Sequence, residues 1–275
     1  MKELKYNLIH LLKRKGFYFA FITVMWIVLL HLLTIFFEGV DGCLYPEFMN
    51  RAEELFVVYN PGIILVLMYF VYPIVCSFVF RDVSWMDPYK NPNKIEYLYL
   101  DYKKNIVIQW FLTIIVSFLI IFTAFMFEYI TLRYVFGSGF VYAGLQHLPF
   151  ALPIKHDIFM LLVKDNMWLY AMYTSTSVAM IFALLAAIAY SISLYVEKKR
   201  FIFIGIVVFM LLFDILFTSI GLDLSILNYL SQIYYVQIKE YLILYVVLFS
   251  ISFGMMIVKV FQVYRKGKIK YAQKT

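Results

Sequence analysis

Residues 201–222 read FIFIGIVVFMLLFDILFTSIGL, and Asp214 is the one charged side chain among them. A helix rising 1.5 Å per residue needs about 20 apolar residues to cross roughly 30 Å of hydrocarbon. This stretch meets that length, so it reads as a transmembrane helix. Five further stretches of the same kind fall at about 17–37, 61–80, 106–127, 168–195 and 241–263. No soluble domain fits between them, and no internal repeat or low-complexity segment interrupts them. The expected fold is all-α: a single polytopic membrane domain over residues 1–275 with six transmembrane helices.

Composition agrees with that reading. Of 275 residues, 64% are hydrophobic, 20% aromatic and only 15% charged. An ordinary soluble domain is roughly 45–50% apolar and about 25% charged. So much apolar surface cannot hide in one core of this size, because a soluble fold still needs a polar skin. A disordered chain, a soluble enzyme and a disulfide scaffold are thereby excluded. The two cysteines are Cys43, in a polar run, and Cys76, in an apolar one. They show no metal spacing, and their settings argue against a mutual disulfide. The start, MKELKYNLIHLLKRKG, has basic residues on both flanks of a short apolar stretch and does not read as a secretory signal.

Basic residues set the expected topology. Six spans place both termini on one side. On that side lie nineteen of the 24 lysines and arginines, in the N-terminal segment, in the connections after spans two and four, and in the tail. Only Arg51, Arg133, Lys155, Lys164 and Lys239 fall on the other. By the positive-inside rule both termini are cytoplasmic. The formal charge of +7 is then a topology signal and a contact with lipid headgroups. No basic cluster sits on a separate domain, so nucleic acid is not an expected partner.

Residues 2–15 read as an N-terminal interfacial helix. Leu4, Leu8, Leu11 and Leu12 fall on one face, Lys2, Lys5, Lys13 and Arg14 supply the polar side, and Gly16 turns the chain into the first span. The competing reading is a plain cytoplasmic extension of that span. On the outer side, residues 128–167 carry Gly137, Gly139, Gly144, Pro149 and Pro153 and read as short interfacial helices. Residues 223–240, DLSILNYLSQIYYVQIKE, are similar and rich in tyrosine, which suits the membrane–water boundary.

The connection after the second span, FRDVSWMDPYKNPNKIEYLYLDYKKN (residues 80–105), carries the functional argument. Pro88 and Pro92 break any helix before them. Asn93 can then cap a short helix, with Glu96 three residues on as a capping box. Ile95, Leu98 and Tyr102 share one face of it. Such a helix needs something to pack on. The lipid headgroup layer is one candidate and a cytoplasmic partner protein is the other.

In this layout the chain resembles the membrane subunit, or permease, of an ABC-2-type ATP-binding cassette transporter. The shared points are the basic interfacial N-terminal helix, six spans, both termini inside, the short helix between spans two and three, and an amphipathic segment between spans five and six. The resemblance covers nearly the whole chain, although PYKNPNK stands where the family commonly has a glycine-containing acidic stretch. It implies that the helix after span two docks into a groove of a separate ATPase. Asp87, Asn93, Ile95, Leu98, Tyr99 and Tyr102 would then be the coupling residues. It also implies a second permease subunit, identical or related, and ATP with Mg on the partner ATPase rather than on this chain. The chain itself carries no Gly-x-x-x-x-Gly-Lys-Ser/Thr to cradle phosphate.

Polar residues inside the spans are the remaining candidates. An intramembrane acid is a functional hypothesis by default, which singles out Asp214. His31 lies at about the same depth in the first span, so the two could meet. The other partners for Asp214 are Thr218 on the next turn and a neighbouring span, and a proton-relay role is a further reading. The fourth span carries Ser175, Ala179, Ala183, Ala187 and Ser191 at four-residue intervals. Such a row admits another helix closely, either within the subunit or across a dimer. Pro73 is expected to kink the second span or to be absorbed by local rearrangement.

No catalytic residue and no metal site is expected on this chain. His10, His147 and His156 are scattered, and neither His-Glu-x-x-His nor Gly-x-Ser-x-Gly occurs. The functional expectation is the permease subunit of an ATP-driven exporter in a bacterial plasma membrane, moving an amphipathic or antimicrobial peptide or other hydrophobic cargo. The alternatives are a non-transporting membrane anchor or sensor that recruits a cytoplasmic partner, and a membrane enzyme using outer-loop acids.

Overall fold

The computed structural model describes residues 7–9, 11–38, 62–78, 102–136, 167–196, 199–221, 224–231 and 238–272. All regular structure among them is helical. The helices are α1 (Lys15–Glu38), α2 (Gly62–Phe78), α3 (Tyr102–Phe136), α4 (Met167–Ser193), α5 (Lys199–Ser219), α6 (Ile226–Ser231) and α7 (Ile238–Ala272). Five of them, α1, α3, α4, α5 and α7, are long and apolar enough to cross a membrane. The sixth expected span corresponds to α2, an apolar helix of 17 residues.

The burial pattern shows which solvent the helices face. In α1, Ala20, Val24, Ile27, Val28, His31, Leu32 and Ile35 are buried at three- and four-residue spacing. The opposite face presents Tyr18, Phe19, Ile22, Trp26 and Leu33. A soluble helix would place charged residues there. Here both faces are apolar, and the outward one suits acyl chains. α5 repeats the arrangement, burying Ile202, Ile206, Met210 and Phe213 while exposing Ile204, Val208, Leu212 and Ile215. Hydroxyls on these helices bond back to their own backbone, as Thr123 does to the Leu119 carbonyl at 2.7 Å and Ser219 to that of Ile215 at 2.7 Å. That satisfies them without water.

α4 is the central helix. Residues 181–190 are all buried, and α3, α7, α2 and α5 pack around it, with α3 the most extensive neighbour. α1 packs on α2 and α3. Side-chain contacts fix the directions. Tyr190 reaches the start of α3 while Trp168 meets Tyr129 near its end, so α3 and α4 are antiparallel. His31 meets Glu128 and Asn7 meets Gln109, so the chain through α1 runs parallel to α3.

Helix ends depart from the hydropathy reading in physically simple ways. α3 continues nine residues past 127, to Phe136, because Glu128, Tyr129 and Leu132 are buried on its inner face. α7 runs on to Ala272 through its basic end. α5 stops at Ser219 because Gly221 adopts a left-handed φ of 73° and its amide bonds to the Thr218 carbonyl at 3.1 Å, a glycine-terminated helix end. The N-terminal segment breaks at Lys13–Arg14, where the Arg14 amide turns back to Leu11 at 3.0 Å. Gly16 was expected to make that turn; it lies inside α1. Pro73 is accommodated within α2 and is buried.

Candidate functional site

Two groups of buried polar side chains stand out, one at each end of the bundle. At one end, the first turns of α3 carry Asn105, Gln109, Thr113 and Ser117 at four-residue spacing, all on its buried face. Gln109 is the hub. Its Nε2 donates to Asn7 Oδ1 at 3.2 Å and to Asn105 Oδ1 at 3.3 Å. Its Oε1 accepts from the Tyr190 hydroxyl at 3.4 Å. The same hydroxyl lies 3.3 Å from the Ile106 carbonyl. A single amide thus joins the N-terminal segment, the first turns of α3 and the last turns of α4.

Towards the other end lie His31, Glu128 and Asp214. His31 Nδ1 lies 2.6 Å from Glu128 Oε1. His31 is 4% exposed and Glu128 is fully buried. This pair joins α1 to α3 about 28 Å along α3 from Gln109, at 1.5 Å per residue. Which atom donates is set by the histidine tautomer. Each group gives the other a hydrogen-bond partner inside an apolar interior, where an unpaired polar group is costly.

Asp214 has other partners. Its Oδ2 accepts from the Tyr69 hydroxyl of α2 at 2.6 Å, and its Oδ1 accepts from the Ile226 amide of α6 at 2.6 Å. The Leu227 amide approaches Oδ2 at 3.3 Å. Of the partners considered from the sequence, a neighbouring helix, α2, is the one seen. The carboxylate also caps the first turn of α6, satisfying amides that have no partner within that helix. Tyrosines hold the rest of α6 in place. The Tyr241 hydroxyl donates to the Tyr229 carbonyl at 3.2 Å, and their rings meet edge to face at 5.2 Å. Tyr245 donates to the Ser177 carbonyl at 3.0 Å, joining α7 to α4.

Near the C-terminal end of α3, Arg133 donates to the Tyr129 hydroxyl at 3.2 Å and stacks over Trp168 at 4.8 Å. The neighbouring Tyr134 is 92% exposed. An aromatic and basic rim of this kind suits a headgroup boundary.

The small-residue row of α4 lies inside the chain. Ser175, Ala179, Ala183, Ala187 and Ser191 are all fully buried. Ser191 donates to the Ser252 carbonyl of α7 at 3.0 Å, and α7 approaches closely there. Among the coupling residues, Asp87, Asn93, Ile95, Leu98 and Tyr99 lie outside the described residues. Tyr102 opens α3, so the 80–105 segment leads straight into the helix that carries Gln109.

Glu128 was missed in the sequence because the charged cluster Glu128–Arg133 looked like the end of a span. The signal was its company: phenylalanine and methionine precede it, and tyrosine and isoleucine follow. The amide hub was missed because Asn105 fell in the preceding connection and Gln109 inside the span, so the two were not read together. Their spacing with Thr113 and Ser117 was the sign of a common face. Among the described residues no group of three or more His, Cys, Asp or Glu could hold a metal ion.

No family model, no curated protein and no solved structure matches the chain. Its function is therefore argued from its own geometry.

Proposed function

We propose that the chain is the membrane-spanning permease subunit of an ATP-driven exporter of the ATP-binding cassette type. In this reading α2 crosses the membrane with the five longer helices, giving six spans, and both termini face the cytoplasm of a bacterial plasma membrane. ATP and Mg are held by a separate ATPase. A second permease subunit, identical or related, completes the assembly. The cargo is hydrophobic or amphipathic, a peptide being the best fit to an apolar, aromatic-rich bundle.

The observation that carries the reading is the Gln109 hub. A pump of this kind needs a rigid path from the docked ATPase into the spans. The 80–105 segment ends in α3, and two turns later Gln109 bonds to the N-terminal segment and to α4. Displacing the segment would move the base of α3 together with Asn7 and Tyr190. Closure of the ATPases would then rock α3 and α4 between access states. The bonds involved are neutral, so they transmit displacement without charge separation at the inner boundary.

Purification of the full chain from its host in mild detergent, followed by mass identification, tests this reading. The expected result is a stoichiometric ATP-binding cassette subunit that is lost when Leu98→Asp is introduced. Recovery of the chain alone, or with proteins lacking a nucleotide site, would overturn the transporter reading and favour the anchor.

A further inference from the structure

The exporter reading makes no use of the C-terminal end of α3, where Arg133 stands beside an exposed apolar stripe. We propose that this end of α3, together with the start of α4, is a binding site for one anionic phospholipid. The lipid phosphate sits on the Arg133 guanidinium, and an acyl chain lies along Phe127 and Ile130. The inference rests on the chain's being embedded in lipid and not on its having an ATPase partner.

The argument begins with depth. α3 is one continuous helix from Tyr102 to Phe136. Its charged side chains are Lys103 and Lys104 at the start, then Glu128 and Arg133. Glu128 is fully buried and meets His31, so it does not mark a boundary. From Lys104 to Arg133 the helix rises about 43 Å at 1.5 Å per residue. A bilayer with its headgroups is roughly 40–45 Å thick. With Lys104 in one headgroup layer, Arg133 falls in the other, at the level of the lipid phosphates.

Arg133 is half-buried and firmly placed. One N–H donates to the Tyr129 hydroxyl at 3.2 Å, and the cation lies 4.8 Å from the centre of the Trp168 ring. Neither contact neutralises it, and among the described residues no carboxylate makes an ion pair with it. A guanidinium stays charged and presents several N–H groups in a planar fork that matches a phosphate. The aromatic pair therefore holds a cation with donors to spare where phosphates lie. A negatively charged headgroup fits it better than a zwitterionic one, which brings its own ammonium to the same place.

The surface beside Arg133 fits the rest of a lipid. Leu119, Phe127, Ile130 and Tyr134 are exposed along one face of α3. Tyr134 puts a phenol next to Arg133, and the others run from it into the hydrocarbon. α4 is buried through its middle but exposes Trp168 and Leu169 at its start. Tyr129 and Trp168 meet edge to face at 5.5 Å, which joins the two helices beside the cation. A free phosphate would use Arg133 alone, whereas a lipid also covers the apolar stripe. A lipid held there braces α3 against α4 at the end opposite Gln109.

The test uses the full chain in phosphatidylcholine nanodiscs containing rising amounts of phosphatidylglycerol with a photoreactive diazirine on one acyl chain. After irradiation, adducts are mapped by peptide mass. In the unmodified protein, adducts on residues 127–136 and 167–172 should exceed those on the lipid-facing residues 204–215 of α5. The same diazirine on phosphatidylcholine should label both regions alike. Arg133→Gln should weaken the phosphatidylglycerol affinity about tenfold, as expected for loss of a charge-assisted contact. Arg133→Lys keeps the charge without the fork and should fall between the two. Soluble glycerophosphate, which lacks acyl chains, should leave the labelling unchanged. Equal labelling of the two regions in the unmodified protein would overturn the proposal, however the variants fold. So would an excess that phosphatidylcholine matches, that R133Q retains, or that glycerophosphate removes, the last marking a site for free anions.

Discussion

Three amides and a phenol close the end of the bundle where α3 begins, whereas an imidazole and two carboxyl groups tie the opposite half. Both regions solve the same problem, satisfying polar groups inside an apolar core. Gln109, Asn105, Asn7 and Tyr190 do so without ionisable acids or bases that titrate near neutrality. Each bond there is replaceable at modest cost and insensitive to acid. His31–Glu128 and Asp214 do it with groups whose burial is costly unless each partner stays in place. The lesson is a division of labour. The end where α3 begins joins three segments at one side chain and suits transmission of displacement. The other end ties its helices through buried imidazole and carboxyl groups whose separation is costly, and suits fixing the helices against one another.

That contrast can be broken most severely at the pair. His31→Leu leaves Glu128 buried without its imidazole, and removing one partner of a buried ion pair costs roughly 3–5 kcal/mol. The double change His31→Leu with Glu128→Leu should recover most of that loss, because an apolar replacement of both partners is close to neutral or better. Reversible unfolding in mixed micelles measures both. Equal losses in the single and double variants would show that the pair does not act as a unit.

Asp214→Ala should cost about 1–3 kcal/mol, the range for leaving buried hydrogen-bonding groups without their partner. It should speed hydrogen exchange at the Ile226 and Leu227 amides, which the carboxylate accepts. Asp214→Asn should keep about half of that stability and leave cargo movement intact. Abolished transport in a stably folded Asn variant would instead give Asp214 a proton-relay role.

Overpacking the central helix comes next. Ala183→Leu puts a large side chain where α4 is fully buried, and should cost about 1–3 kcal/mol. A tolerated leucine would mean that α4 has room its burial does not suggest. The smallest effect is expected at the hub. Gln109→Leu should cost about 1 kcal/mol, since interhelical hydrogen bonds in membranes average about 0.6 kcal/mol each. That loss should be well below the loss at His31. An equal or larger effect at Gln109 would erase the distinction between the two regions.

The helical, membrane-embedded class was legible from composition and from apolar runs such as 201–222, because lipid imposes length and hydropathy directly on the chain. The fourth apolar helix was legible too, and its small-residue row at 175–191 is fully buried, with Ser191 bonded to α7. Less visible were the groups that hold the helices in register. Glu128 fell one residue beyond the predicted end of its span, and hydropathy cannot tell a charged residue at a boundary from one paired inside a bundle. Its partner His31 was singled out, but with Asp214 in view, since depth along a helix does not reveal which face meets which neighbour. Asp214 itself was found, while its bonds to Tyr69 and to the α6 backbone depend on where a six-residue helix folds back. The Asn105–Gln109–Thr113–Ser117 spacing was present in the sequence and needed only to be read as one face.

The most direct test of the account is at the segment that leads into α3. A photo-crosslinking amino acid at Leu98, activated in native membranes with and without ATP, reports what that segment touches. The account predicts a covalent adduct with a nucleotide-binding protein, in a yield that changes when ATP is supplied. Adducts formed only with lipid, or only with proteins that carry no nucleotide site, would contradict it.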